Sequence, residues 1–167
     1  MKDNDIRILL QRMSEGYEEQ IPLYEKMYEL ALEQEKCVRE GEVDTDRLIA
    51  LINQRQELIS SLEAMQAKIG ELKGKIVAIL GILEFSISGI TQQYNGTAVT
   101  QLAATMEKST AFLVKIKDLD KINEETLRYK IKETADNLQH IQKEKKAKNA
   151  YQNKMVNNDG VFVDFSK

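Results

Sequence analysis

From Leu48 to Tyr94 the apolar positions recur in alternating steps of three and four. Leu51, Arg55, Leu58, Leu62, Met65, Ile69, Leu72, Ile76, Ile79 and Leu83 form a seam in which nine of ten positions are apolar. That spacing predicts one continuous helix whose seam packs knobs into holes against neighbouring helices. At 1.5 Å per residue such a helix would be roughly 70 Å long, which predicts a rod-like molecule. A second seam precedes it: Ile6, Leu10, Met13, Tyr17, Gln20, Tyr24, Met27, Ala31, Gln34 and Val38, with eight of ten positions apolar. It predicts a first helix over about residues 3–40. Pro22 lacks an amide proton for the Glu18 carbonyl and crowds that turn, so this helix is expected either bent or broken there. Gly16 adds local looseness.

A third stripe is weaker. Leu102, Met106, Leu113, Ile116, Leu119, Leu127, Ile131, Leu138 and Ile141 predict a helix over 98–148, with Ser109, Asn123 and Thr134 on or near the seam. A bend near Asp120 is compatible with this pattern, and Asn123 is also a candidate cap for a helix restarting at Glu124. The corners are short. Glu40-Gly41-Glu42-Val43-Asp44 offers Gly41 for a left-handed residue past a helix end and Asp44 as the cap of the next helix, with Asp46 in its first turn. Asn95-Gly96 reads as the second turn, with Thr97 as a cap. Short corners return each helix along the previous one. The expected fold is therefore all-α: an elongated antiparallel three-helix bundle with coiled-coil-like packing over 1–148 (helices about 3–40, 45–94 and 98–148). A polar spacer and a flexible apolar C-terminal tail follow over 149–167.

Ala67, Gly70, Gly74, Ala78, Gly81 and Ser88 form a small-residue stripe away from the main seam. A helical glycine costs about 1 kcal/mol relative to alanine, so the stripe points to the close approach of a neighbouring helix, within the chain or from a second copy, or else to small residues that are simply tolerated. The segment from Ile76 to Ile90 is apolar on most sides and needs cover from more than one direction.

Composition supports helices: charged residues are 31% of 167, with one proline and no tryptophan. The net charge of -3 argues against general nucleic-acid binding. Residues 1–46 hold 13 acidic and 6 basic side chains, whereas 115–154 hold 7 and 11, an opposition that favours packing the first helix near the last. The start, acidic and without an apolar core, does not read as a signal peptide, and the fifteen residues from Ile76 to Ile90 are too short to span a membrane. A lone Cys37 fits a reducing compartment. A cytoplasmic protein is expected.

Catalytic parts are missing from the pattern. His140 and Cys37 are each the single residue of their type. Zinc sites built from several His or Cys ligands are excluded within one chain. Asn137 stands where a di-iron Glu-x-x-His motif needs glutamate, and no glycine-rich phosphate loop occurs. No enzyme, cofactor or metal is expected. Tyr17, Tyr24 and Tyr28 read as core or boundary residues. Lys143, Lys145, Lys146 and Lys148 read as a solvated helix end or as a contact for an acidic partner. In the tail, Val161, Phe162, Val163 and Phe165 each gain about 1.5 to 3 kcal/mol on full burial. They either fold back or are held for a partner.

The acidic first helix, the corner Glu40-Gly41-Glu42-Val43-Asp44, the run from Leu48 to Leu58 (LIALINQRQEL), and the ending with Ala150-Tyr151 and Phe162-Val163-Asp164 resemble FlgN-type flagellar export chaperones across nearly the whole chain. The resemblance implies a cytoplasmic chaperone of three long helices that binds hook-filament junction (hook-associated) proteins before type III export and passes them to the export gate. It implies that the partner's C-terminal helical segment is gripped with help from the chaperone's C-terminal region. Here that role would fall on Leu127, Ile131, Leu138, Ile141, Tyr151, Val161, Phe162, Val163 and Phe165. The alternative reading is a homodimeric coiled-coil scaffold that uses the stripe from Ala67 to Ser88.

Overall fold

The structure, a computed structural model, describes residues 2–158, with side chains to residue 154. The fold is all-α. Among the described residues the elements are α1 (Lys2–Arg39), α2 (Thr45–Leu80), α3 (Ile87–Gln93) and α4 (Thr97–Asn158), with no strand. By internal contacts the chain divides into two compact units, Met1–Glu124 and Glu125–Lys167. The division falls inside the stretch 1–148 that the sequence reads as one bundle.

In the first unit, α1 runs uninterrupted through Pro22, which lies on its exposed side. All ten positions of its expected seam are buried, including Gln20 and Gln34. Burial of a whole face holds a helix more firmly than one backbone hydrogen bond, so the missing proline amide does not end it. Gly16 has a specific use: a Cβ there would come within 3.3 Å of Ile69 Cγ1, so the glycine lets α2 approach closely.

The corner after α1 differs from expectation in one respect. The Glu40 amide bonds to the Lys36 carbonyl at 3.1 Å, and among the described glycines only Gly81, not Gly41, has positive φ. Asp44 does cap α2, its carboxylate accepting from the Arg47 amide at 3.0 Å.

The helix expected over 45–94 is two helices. α2 stops at Leu80, where Gly81 turns left-handed (φ 68, ψ 30) and its amide donates to the Val77 carbonyl at 2.9 Å. This is a glycine-terminated helix end. Ser86 then caps the short α3 by accepting from the Gly89 amide at 3.1 Å. The turn has an energetic reason. It folds Ile82, Phe85, Ile87, Ile90 and Tyr94 against Ile6, Leu10, Met13, Tyr17, Ile69 and Ile76, joined by Ala98, Val99 and Leu102 from α4. A straight continuation would have left this apolar run without that cover. A second cluster joins Tyr24 and Met27 of α1 to Leu62 of α2 and Ile116 of α4.

A polar tie follows. Arg55, the single charged residue in the α2 seam, makes a bidentate ion pair with Asp120 of α4, both contacts at 2.6 Å, and also donates to the Gln34 side chain of α1. Nearby, the Asn123 amide donates to the Ala31 carbonyl at 3.0 Å. Asn123 therefore lies within α4 and links it to α1 rather than capping a new helix.

Candidate partner-binding face

Chemistry-bearing side chains are scattered. Cys37 is buried, with its thiol donating to the Asp44 carbonyl at 3.4 Å. His140 is exposed in the second unit, 3.3 Å from Glu144. Among the described residues no group of three His, Cys, Asp or Glu could hold a metal ion, and no helix is long and apolar enough to cross a membrane. Tyr17 and Tyr24 are core residues, and Tyr28 is half-buried against the cluster that holds Tyr24.

Within the described residues of the chain, the small-residue stripe receives no neighbour. Ala67, Gly70, Gly74, Ala78, Gly81 and Ser88 are all exposed, and a Cβ built on Gly70 or Gly74 meets nothing within 4 Å. α2 instead turns Leu62, Ile69 and Ile76 into the core. The first unit keeps an open apolar groove of about 350 Å³ lined by Tyr24, Met27, Ile59, Leu62, Leu113 and Ile116. A second, of about 520 Å³, lies beside Ile87, Ala103 and Met106.

The second unit, taken by itself, presents bare helix. Leu127 is half-buried, but every residue from 131 to 154 is exposed. Ile131 is 62% exposed, Leu138 55%, Ile141 48% and Tyr151 69%. Leu127, Ile131, Thr134, Leu138 and Ile141 are separated by steps of four and three, so they share one face. The Thr134 hydroxyl donates to the Lys130 carbonyl at 2.9 Å, which satisfies its polar group within the helix and leaves a methyl for an apolar contact. The face passes into Lys145 and Lys148, and residues 125–154 hold 8 basic and 4 acidic side chains. Of the nine residues expected to bind a partner, the four apolar seam residues thus form one stripe and Tyr151 lies on the same helix. The helix expected to end near residue 148 continues to Asn158, so residues 149–158 of the expected polar spacer are helical, while Val161, Phe162, Val163 and Phe165 of the tail lie outside the described residues.

Such an arrangement can bind: a heptad-spaced apolar stripe flanked by charge is the surface an amphipathic helix recognises. Comparisons with protein-family models, with curated proteins and with solved structures find no match to this chain.

Proposed function

We propose that this chain is a cytoplasmic type III export chaperone of the FlgN kind, which binds an amphipathic helical segment of a flagellar hook-filament junction protein and keeps it soluble for the export gate. The observation that carries this reading is the stripe on the second unit in which Ile131, Leu138 and Ile141 are uncovered and Leu127 is half-buried. An amphipathic segment exposed before assembly aggregates through its apolar face. A complementary stripe covers that face without any catalytic step.

The first unit serves as the support, an antiparallel three-helix bundle made by α1, α2 and the first half of α4. Residue order in the core supports this arrangement. Ile6 to Tyr17 pack with Ile69 and Ile76, and Tyr24 with Met27 pack with Leu62, so numbers rise along α1 as they fall along α2. α4 rises with α1, from Leu102 to Ile116 and then to Asn123 beside Ala31.

Three exposed side chains, Ile131, Leu138 and Ile141, would each contribute about 1.5 to 3 kcal/mol if fully buried. With the partner's own apolar stripe buried against them at the same time, and after the cost of immobilising the partner, an affinity of about micromolar order is expected. Titration calorimetry with a peptide from the C-terminal helical segment of a hook-filament junction protein tests this. A one-to-one complex is expected, weakened about thirtyfold or more by combining Ile131→Glu with Leu138→Glu. Absence of binding, or affinity unchanged in the double variant, overturns the reading.

A further inference from the structure

We infer that the distal part of α4 pairs with a second copy of itself as an antiparallel two-stranded coil, on a two-fold axis at the level of Asp136. Leu127, Ile131, Thr134, Leu138, Ile141 and Lys145 occupy the heptad seam positions. Set antiparallel about Asp136, Ile131 lies across from the second copy's Ile141, and Thr134 lies across from its Leu138. Leu127 is covered by the methylene stem of the second copy's Lys145, whose ammonium reaches water beyond it. Two-fold symmetry makes each of these contacts twice.

Charge selects this register. Lys130 and Glu144 flank the seam on the same side, fourteen residues apart. About Asp136 they meet as two symmetric Lys130–Glu144 pairs between copies. Asn137 stands across from its own counterpart on that flank, and Ala135 does so on the other. A parallel pair in register would instead stack Lys145 on Lys145 and Lys148 on Lys148. Slipping the antiparallel pair by a heptad sets Ile141 against Glu124 or Ile131 against Lys148. Each slip keeps one apolar pair, Leu127 with Leu138 or Leu138 with Ile141, but the register about Asp136 sets Ile131 against Ile141 and also brings Lys130 to Glu144. The unit also needs a partner on energetic grounds: an isolated helix in water is marginal, and every described side chain from 131 onward is exposed. Because the client proposed above uses the same stripe, self-pairing would keep that stripe covered until a client displaces the second copy. This last consequence rests on the chaperone reading, whereas the pairing itself does not.

Sedimentation of the full chain alone over a micromolar concentration series tests the pairing. A reversible monomer–dimer equilibrium is expected. Lys130→Glu and Glu144→Lys should each weaken it roughly tenfold, since each turns two attractive pairs repulsive. The two substitutions together should restore it to within about twofold. Leu138→Asp should abolish it, with the helical signal of the first unit intact. A chain that stays monomeric at about 100 μM, or a charge swap that fails to restore association, overturns the inference. No client enters these measurements, so their outcome is independent of the client titration.

Discussion

The two halves of α4 carry similar apolar spacing but are covered unequally, Leu113 being the seam leucine of the first half left exposed, at 46%. In the first half, Ala98, Val99, Leu102, Ile116 and Leu119 are buried, together with Thr105 and Ser109. In the second, Leu127 is half-buried and Ile131, Leu138 and Ile141 remain in water. Period therefore reports that a helix has an apolar face, and says nothing about whether this chain supplies the cover. What distinguishes the halves is the company each keeps. The first half meets α1 and α3 residues such as Leu10, Met13 and Ile90. The second is set among charge, with 8 bases and 4 acids over 125–154.

The largest expected effect separates a covered leucine from an uncovered one. Leu10 is 0% exposed, so Leu10→Ala leaves a cavity as well as losing transfer energy, at a cost of about 2 to 5 kcal/mol. Leu138→Ala, measured in dilute chain, is expected to cost less than about 0.5 kcal/mol. Urea denaturation of both variants checks this. Equal losses would break the comparison, because they would mean that Leu138 is packed in the isolated chain.

A smaller effect is expected at the tie that closes the first unit. The Arg55 side chain is 14% exposed and that of Asp120 is 39% exposed, so solvent screens the pair only in part. Asp120→Ala removes the bidentate acceptor and leaves the guanidinium with Gln34, whose side-chain oxygen also accepts from it. The expected cost is about 1 to 3 kcal/mol, toward the lower end given the exposure of Asp120. Replacing both partners, Arg55→Met with Asp120→Leu, should cost less than Asp120→Ala alone. A double-mutant cycle by denaturation measures the coupling, and a coupling near zero would remove the tie as a reason for the fit of α4.

Much of this architecture is legible in the sequence, because the α1 seam written at 3.5-residue spacing is the face the structure buries, down to Gln20 and Gln34. The partners of its polar members are not legible. Arg55 reads only as the exception in an apolar seam, and its acceptor is 65 residues away in Asp120. Asn123 sits beside a chain position 92 residues distant, so local cap chemistry misplaces it. Gly81 fits the small-residue stripe and a helix end equally well by spacing. Only the demand of Phe85, Ile87 and Ile90 for the core decides for the end. The apolar face over Leu127 to Ile141 is legible as a face, while its exposure depends on the rest of the chain and is not written in its period.

The glycines of α2 give the mildest test, and it is one of sign. Gly70 and Gly74 lie in regular helix with open space where a Cβ would stand. Gly70→Ala and Gly74→Ala should therefore each stabilise the chain by about 0.5 to 1 kcal/mol, by raising helix propensity and reducing the freedom of the unfolded chain. Thermal unfolding of the two variants measures it. A gain at both positions means that the stripe is tolerated small residues on a solvated face, in keeping with the contrast between α2's buried and exposed sides. A loss would show a second backbone seated against Gly70 and Gly74 in solution, and would move the search for the chain's partner from the distal half of α4 to this face.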